Sequence, residues 1–577
     1  MVTLVYYYHH WKIFLSYNIL CLIREMANVI STRLQPYWEM ALEAMPPQVA
    51  QNAELVLGKK LNGASVLITL LLAWILVRFL SSLLFKKKNL PPSIPGLPLL
   101  GNLLQLTEKK PHRSFTTWAA KYGPIFSIQV GSVKQVVITS PEIAKEAMIT
   151  KYEAISSRKM PLALQILTRD KTMVAMSDYG DEHRMLKKLA VGHLLNINTQ
   201  KQNRPIRENA LLNMLDAMFL DLKNTSPHAG GSVIDVRDYI KRALFPFSMF
   251  QVWGYVPEEV DCPELGVVTK WEIFEALVIA PLKTVIEVDW RDFFPAFKWV
   301  PNKSVEDNIK AVERRRTLII KGLIKEQRRR LKNQPEGPGR CYADILLTQA
   351  THLSEVQLEQ SLWEPIIESA DTTLVTTEWI MFELARNPAI QERLYKEVVD
   401  VTGGHGYETT RMVTEDDIPS MPYLSAVIKE TLRKYPPVPL LPSRYVEKDT
   451  TLGGYDIPKG WQVLINIFGI NNDPNLWPNP EKWDPERVLN NESLDMGIKN
   501  LSIMPFGAGK RMCAGITQAM FIITMNVASF VQHFKWELAP KEIESFNSKI
   551  EDVVYLTTHK LHPLQCIITP RVSQRLR

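Results

Sequence analysis

The chain has 577 residues, and its 68 Lys and Arg against 61 Asp and Glu leave a net charge of +7. Apolar residues make up 46% and charged residues 22% of the sequence, which is ordinary globular usage and excludes a disordered or fibrous chain. A surplus of +7 over this length is too dilute to indicate nucleic-acid binding. The cysteines stand far apart with no CxxC pair, which indicates a reducing compartment and no disulfide framework.

The first predicted element is a membrane anchor at residues 61–88. Ala64 to Phe85 is an apolar run of 22 residues, and a helix needs roughly 20 to cross a bilayer core. Lys86–Lys88 follow at once, so the positive-inside rule keeps this flank and everything after it in the cytosol. A buried core helix is the alternative, which the length and the lysine stop disfavour. Residues 1–60 are a poor span and a poor signal peptide, and we expect them to be absent from the working protein.

Beyond the anchor the pattern predicts a helix-rich domain with a minor sheet. Residues 89–102 include the proline-rich LPPSIPGLPLLGN, whose prolines favour extended backbone, and form a stiff hinge. Residues 103–577 follow as one large domain. Alternating apolar residues predict strands at Ile125–Val130 and Gln135–Thr139. Helical periodicity predicts four long helices, at Arg207–Leu222, Val305–Leu331, Ser354–Leu384 and Met421–Lys434.

One of these helices is strongly basic. It carries Arg314–Arg316 and Arg328–Arg330, a pattern that would suit nucleic acid. The same stretch places Ile319, Ile320, Leu323 and Ile324 on one apolar stripe. A solvated amphipathic face is the interpretation we favour, and no nucleic-acid partner is expected.

The segment richest in chemical signals is Pro505 to Gly515, PFGAGKRMCAG, which precedes a long apolar helix. Its glycines permit tight turns and a close approach of the backbone to a flat ligand. Cys513 stands just before the helix start, where backbone N–H groups favour a thiolate. Arg511 can neutralise a carboxylate on the same ligand.

Three other interpretations compete for this segment. A phosphate-binding P-loop fails because Arg511 stands where Ser or Thr is needed. A dinucleotide fingerprint fails at Met512, with no strand before it. A plain buried cysteine leaves the aromatic residue, the glycines and the arginine at their spacings unexplained.

Phe506, Gly509, Arg511, Cys513 and Gly515 match F-x-x-G-x-R-x-C-x-G in full. The segment therefore resembles the haem-binding loop of the cytochrome P-450 family. The resemblance implies that these residues bind haem b and that the Cys513 thiolate is the proximal iron ligand. It also implies the mainly α cytochrome P-450 fold with a minor β-sheet region, and a separate NADPH–cytochrome P-450 reductase as electron source.

A second family motif is Glu430-Thr-Leu-Arg433, which puts opposite charges on one helical face. Its position before the cysteine, and the Asp-Pro-Glu-Arg487 that follows, select this pair, and the family resemblance implies a buried ionic triad of Glu430, Arg433 and Arg487. The spacing alone is weak because other pairs share it, among them Glu313 with Arg316 and Glu326 with Arg329.

A third segment, Glu368-Ser-Ala-Asp371-Thr372, resembles the oxygen-binding helix of the family. The resemblance implies that Thr372 hydrogen-bonds oxygen bound at the haem and that Asp371 helps to relay protons. Polar neighbours there are expected to loosen the helical ladder. The family's usual pair of small residues is replaced by Glu368 and Ser369, which puts the water arrangement in doubt.

Three further residues are implied haem contacts. His183 and Lys187 stand where the family has Trp and Arg in a W-x-x-x-R helix, and Lys187 can pair with a propionate only as a point charge. A satisfied structural histidine is the alternative for His183. Arg444 occupies the place where the family directs a base to a haem propionate.

Within the family the chain resembles the plant ent-kaurene oxidases. The segments that carry this resemblance are GLPLLGNLLQLTEKKPH, TRDKTMVAMSDYGDEH, IEVDWRDFFP, ADTTLVTTEW, GAGKRMCAG and HKLHPLQCIITPR. The implied reaction is three successive oxidations of one methyl group of ent-kaurene, giving ent-kaurenoic acid for gibberellin biosynthesis. Each oxidation uses O₂ and two electrons from NADPH through the reductase.

Such a substrate is a rigid apolar diterpene that reaches the protein from membrane lipid, so shape must hold its methyl group in place. Ile367, Leu440 and Leu441 are the candidate pocket wall. The expected location is the endoplasmic reticulum or the plastid outer envelope, with one span and the catalytic domain in the cytosol. Two alternatives stay open: a related diterpenoid hydroxylase, or a non-catalytic haem-binding membrane protein, which the unusual Glu368-Ser369 pair suggests.

Overall fold

The computed structural model describes residues 88–106, 110–224, 232–333, 341–403, 411–490, 503–546, 552–554 and 557–572. The predicted extension and nearly all of the predicted anchor lie outside these residues. Within the described ranges, no helix is both long enough and apolar enough to cross a bilayer. From Asn89 onward the chain clusters into one compact unit.

Helices dominate the described residues. The α-helices, in chain order, are α1 Pro111–Tyr122, α2 Pro141–Lys145, α3 Tyr152–Ile155, α4 Leu162–Leu167, α5 Asp181–Ala190, α6 Ile197–Gln202, α7 Arg204–Asn224, α8 Val236–Trp253, α9 Lys270–Phe274, α10 Ala280–Thr284, α11 Lys303–Asn333, α12 Tyr342–Gln349, α13 Glu355–Arg386, α14 Pro388–Val401, α15 Pro422–Lys434, α16 Ile467–Asn471, α17 Glu486–Leu489, α18 Ile516–His533 and α19 Pro540–Phe546.

The strands are short. They are β1 Ile125–Val130, β2 Val133–Ile138, β3 Ser157–Arg158, β4 Ser232–Asp235, β5 Glu259–Cys262, β6 Gly266–Thr269, β7 Arg444–Tyr445, β8 Thr450–Leu452, β9 Tyr455–Ile457, β10 Gln462–Ile465, β11 Phe534–Leu538, β12 Asp552–Val554, β13 Thr558–Lys560 and β14 Gln565–Pro570. Single 3₁₀ or π turns connect several of the helices.

The largest sheet has the strand order β1-β2-β10-β7-β3. The β1–β2 hairpin pairs antiparallel with Ile125 opposite Ile138, as the alternation predicts, while β10 returns from far along the chain to pair parallel with β2. A smaller sheet joins β11, β14 and β4. The predicted second strand begins earlier than expected because Val133 pairs with Val130 across the turn.

Helix α13 forms the spine of the fold. Ser354 caps its start by accepting a hydrogen bond from the Gln357 backbone N–H at 3.2 Å, in a capping box. Its 32 residues pack against α8, α15 and α18, and most of its side chains are buried. Because α13 is buried on most sides, most of its polar side chains face other parts of the protein and not solvent.

The four long predicted helices are all present, as α7, α11, α13 and α15. The basic helix α11 is amphipathic as expected, with the Arg314 side chain 68% exposed. Arg316 differs, because it is buried, stacks 3.8 Å from the centre of the Trp363 ring and donates to the Leu167 carbonyl at 2.7 Å. One arginine of the basic cluster therefore belongs to the core.

Candidate active site

A cavity of about 340 Å³ lies between α13 and the loop that leads into α18. Most of its wall is apolar, and Leu167, Met176 and Leu282 are examples. The same wall includes Cys513 and four cationic side chains. It therefore joins an apolar compartment to a nucleophilic sulfur and to concentrated positive charge.

The cysteine loop is held by its own backbone. The Cys513 N–H donates to the Phe506 carbonyl at 3.0 Å, and the Gly507 N–H donates to Met504 at 3.0 Å. Gly509 has φ +69°, and a Cβ there would lie 2.3 Å from the carbonyl oxygen of Met148. Gly509 therefore permits a close approach to the backbone of Met148. From the sequence, the glycines of this loop were expected to permit a close approach to a ligand.

Cys513 is exposed to the cavity. Burial away from bulk solvent, followed by the Glu368 carboxyl, raises the pKa of the Cys513 thiol to about 11, while the Gly515 N–H and Lys187 lower it. The backbone N–H at the helix start therefore acts in the direction expected from the sequence, and burial opposes it. Coordination of a metal ion deprotonates a thiol outright.

Three arginines converge on the cavity from distant parts of the chain: Arg158, Arg444 and Arg511. Nε and Nη1 of Arg444 are buried, and the described residues supply them with no hydrogen-bond partner. Burial, with Arg511 next, lowers the pKa of Arg444 to about 10. Burial, with Arg444 and Arg511 next, holds the pKa of Arg158 well below its usual value. Buried positive charges are unfavourable unless they are paired, so this cluster is suited to binding an anion.

Arg158 was missed by sequence reasoning. It lies in strand β3, beside Arg444 of β7 in the register of the sheet. No local motif marks it, and only the β3–β7 pairing brings it to the site.

Arg511 donates to backbone carbonyls of Ser156 at 3.0 Å and Val174 at 3.2 Å, and also to Ser177. Its Nη1 lies 3.0 Å from Nδ1 of His183. These neutral carbonyl oxygens satisfy the hydrogen-bonding capacity of the guanidinium but leave its positive charge uncompensated. Burial lowers the pKa of Arg511 to about 10.

Lys187 donates to the carbonyls of Lys510 at 2.9 Å and Met512 at 3.2 Å. It therefore braces the cysteine loop directly and adds a fourth cation to the cavity wall. Burial, with Arg511 next, lowers its pKa.

These groups fit haem. A dianionic tetrapyrrole in this cavity would present its carboxylates to Arg158, Arg444 and Arg511, and its iron to Cys513. When bound, haem supplies activation of O₂ for insertion of oxygen into a C–H bond. The chain's own residues hold the group, orient the substrate and exclude water.

Replacing Arg444 with methionine tests the fit. In the haem-free protein we expect the free energy of unfolding to rise by about 1–3 kcal/mol, because an unpaired buried charge is removed. In the loaded protein we expect haem to be released roughly 10- to 100-fold more readily, since a charge-assisted hydrogen bond is lost. Denaturant titration and haem transfer to apomyoglobin measure the two. Destabilisation of the haem-free protein would contradict the assignment.

His183 is buried, with Nδ1 3.1 Å from both Ser177 Oγ and the Val174 carbonyl. Burial, followed by Arg511 and Lys187, lowers its pKa to about 4. The structure places it as a neutral neighbour of Arg511 on the cavity wall.

A pH effect follows for His183. The unfolded chain binds its proton near pH 6.5 and the folded one near pH 4, so stability falls as pH drops through this window, by roughly 3 kcal/mol in all. His183→Phe should remove that part of the slope. Urea unfolding of the haem-free wild-type and His183→Phe proteins at a series of pH values measures this dependence. If the unfolding free energies of the two proteins fall equally with pH between 6.5 and 4, the prediction is wrong.

On α13, the Asp371 carboxylate lies in a polar cluster. It accepts a hydrogen bond from the Thr557 hydroxyl, and its Oδ1 lies 3.1 Å from Nε2 of His559. Asp371, Thr557 and Thr372 all line the cavity. The carboxylate is therefore oriented by the C-terminal segment, which no local sequence signal indicated.

The helix itself is regular at this point. The Thr372 hydroxyl donates to the Glu368 carbonyl at 3.0 Å, and helical residues run from Glu355 to Arg386 without a break. The loosened ladder expected from the sequence is not seen in this helix. Ser369 instead ties α13 to α8 through a 2.7 Å contact between its hydroxyl and that of Ser248.

The structure brings Glu430, Arg433 and Arg487 together. Arg433 forms a two-pronged pair with Glu430, at 2.8 Å for each bond, and both side chains are fully buried. Arg487 Nε reaches Glu430 at 3.2 Å. Arg433 also donates to the Asn471 carbonyl at 2.8 Å. The triad fixes the end of α15, from which the chain runs directly into the cavity wall at Pro437.

Two of the three predicted pocket residues line the cavity. Ile367 and Leu441 do so, whereas Leu440 packs against the apolar cluster around Phe126 and Ile128. Adjacent residues of an extended segment point in opposite directions, which explains why one leucine faces the cavity and its neighbour does not.

Comparison with known proteins assigns the family. A family model described as cytochrome P-450 matches residues 91–562. The chain belongs to the cytochrome P-450 family. It is accordingly a haem-dependent monooxygenase that receives electrons from a reductase, and enzymes of this family generally act on hydrophobic substrates.

Several plant proteins are similar to this cytochrome P-450. Ent-kaurene oxidase 2 of Oryza sativa subsp. japonica is 47% identical over 84% of this chain and 92% of its own length. Ent-kaurene oxidase of Salvia miltiorrhiza is 42% identical over 84% of this chain and 90% of its own length. Ent-sandaracopimaradiene 3-hydroxylase of Oryza sativa subsp. japonica is 43% identical over 84% of this chain and 91% of its own length.

A solved structure supports the fold. A zebrafish cytochrome P-450, determined with progesterone, matches with a TM-score of 0.64 and 22% identity, over 80% of this chain and 99% of that chain. The predicted fold, mainly α with a minor sheet, is confirmed.

Proposed function

We propose that this cytochrome P-450 oxidises a diterpene hydrocarbon, and that ent-kaurene is its substrate. Three successive oxidations of one methyl group would give ent-kaurenoic acid, in gibberellin biosynthesis, with NADPH as the electron source through its reductase. The observation that carries the proposal is 47% identity to an ent-kaurene oxidase along nearly the whole described domain.

The cavity suits such a substrate. Leu167, Met176, Leu282, Ile367 and Leu441 offer it dispersion contacts and no hydrogen bonds. A hydrocarbon must then be oriented by shape, with the reacting methyl group held on the side of Thr372 and Cys513. The predicted anchor at residues 61–88 would let the enzyme take substrate from the lipid of the endoplasmic reticulum or plastid outer envelope.

A second candidate is hydroxylation of another diterpene skeleton. It is favoured by the 43% identity to ent-sandaracopimaradiene 3-hydroxylase. Since a hydrophobic pocket discriminates similar apolar shapes by only a few kcal/mol, a few wall residues can separate the two activities.

Turnover decides between the candidates. The full chain in lipid vesicles, with the reductase and NADPH, is given ent-kaurene or ent-sandaracopimaradiene, and products are identified by mass spectrometry. We expect ent-kaurenoic acid from the first. Hydroxylation of ent-sandaracopimaradiene with ent-kaurene left unchanged would establish the second candidate and overturn the first.

A further inference from the structure

Two carboxyl groups lie one helical turn apart on the cavity face of α13. Glu364 and Glu368 both line the cavity, at the i and i+4 positions that share one side of a helix. The family pattern has a small residue at the second position. A long acidic side chain in a mostly apolar wall is costly unless it is paired or hydrogen-bonded.

Glu364 is the fixed member of the pair. Its two oxygens accept backbone N–H groups of Val174 at 2.9 Å and Ala175 at 2.7 Å. Backbone donors to both oxygens favour the ionised form of a carboxylate. Burial raises the pKa of Glu364 and these two donors act against that rise, so Glu364 is the better placed of the two to carry negative charge.

Glu368 is the neutral member. Burial, followed by the charge of Glu364 and a hydrogen bond to it, holds the pKa of Glu368 well above its usual range. The proton of Glu368 is donated to Glu364, because a carboxylate can only accept. A carboxyl group keeps a second oxygen that can accept a hydrogen bond, and the Glu368 side chain is exposed where it lines the cavity.

That acceptor lies beside the expected reaction zone. Glu368 is one turn before Thr372, whose hydroxyl donates to the Glu368 carbonyl at 3.0 Å. Glu368, Thr372 and Cys513 all line the same cavity.

A hydrocarbon gains nothing from an acceptor, but its first oxidation product does. A primary alcohol carries an O–H that must find a partner in an apolar cavity. We propose that Glu368, positioned by Glu364, accepts a hydrogen bond from the hydroxyl of the singly oxidised substrate and retains it for further oxidation. This inference rests on the proposed function.

Two variants of Glu368 separate this role from others. Glu368→Met removes the acceptor at similar length. Glu368→Gln preserves the arrangement, because its amide N–H can donate to Glu364 while its carbonyl oxygen faces the cavity. Glu359→Met is the matched control, since Glu359 is a buried carboxyl on α13 that pairs with Arg169 outside the cavity wall.

Binding is measured on the haem-loaded proteins by the spin-state shift of the haem spectrum, with ent-kaurene and with its primary alcohol. We expect the Met variant to bind the hydrocarbon within about 2-fold of wild type and the alcohol roughly 10-fold more weakly. In turnover with reductase, free alcohol should replace the acid as the main product. The Gln variant and the Glu359→Met control should keep the wild-type ratio of alcohol to hydrocarbon affinity.

Other outcomes would overturn the inference. Unchanged alcohol affinity in Glu368→Met excludes an acceptor role. Loss of alcohol affinity in Glu368→Gln as well assigns the effect to the acid proton and not to an acceptor. Failure of the wild-type enzyme to bind or oxidise ent-kaurene at all would instead count against the proposed function, so the two failures are distinguishable.

Discussion

Cys513→Ser is expected to abolish turnover and the red-shifted carbon-monoxide difference band that gives the family its name. A serine hydroxyl has a much higher pKa than a thiol and gives the iron a poor ligand in place of a thiolate that promotes O–O cleavage. Residual activity should be at least about 100-fold below wild type, since even outer-shell changes at metal sites cost 10- to 100-fold. The reduced carbon-monoxide spectrum and product formation are the measurements.

Cys341→Ser is the matched control for this change. Cys341 caps the start of α12, a place where serine is at least as good, and it is partly buried. We expect wild-type spectrum and turnover from it. Full turnover in Cys513→Ser would show that the Cys513 thiolate is not needed for catalysis.

Glu430→Ala is expected to lower the free energy of unfolding by about 3–5 kcal/mol. The change leaves Arg433 fully buried with no counter-charge, and breaking a buried ion pair from one side costs about this much. Arg433→Ala should cost a similar amount. Chemical denaturation of the full-length protein is the measurement, with the yield of haem-loaded enzyme as a second readout.

The chain supplies its own control for that prediction. Glu326 and Arg329 have the same spacing on α11, at 2.7 Å, but their side chains are 31% and 66% exposed. Glu326→Ala should therefore change stability by less than about 1 kcal/mol. Equal losses from both substitutions would mean that burial does not set the strength of the Glu430 pair.

Much of the site was readable from the sequence because its signals are local. The residues from Phe506 to Gly515 lie in one loop, so their spacing is also their geometry. The helices and the first strand were predicted closely for the same reason, since periodicity reports the face that each element buries. The layout of extension, anchor and hinge stays a prediction.

The tertiary structure decided what spacing could not. Several pairs share the Glu-x-x-Arg spacing, and packing around α15 is what buries Glu430 and Arg433. Arg158 reaches the cavity only because β3 pairs with β7, and His559 reaches Asp371 only because the C-terminal segment returns to α13. Burial, which no local pattern reveals, opposes the effect of the helix start on the Cys513 thiol and raises its pKa.

The sequence by itself thus determined the helical scaffold and the family and singled out Cys513 as the candidate sulfur ligand, since each rests on residues within a few turns of one another. Packing alone decided which charges are buried, which leucine faces the cavity and which groups surround Asp371. The physical reason is that desolvation and hydrogen bonding depend on neighbours brought together from hundreds of residues apart, and no short pattern encodes those neighbours.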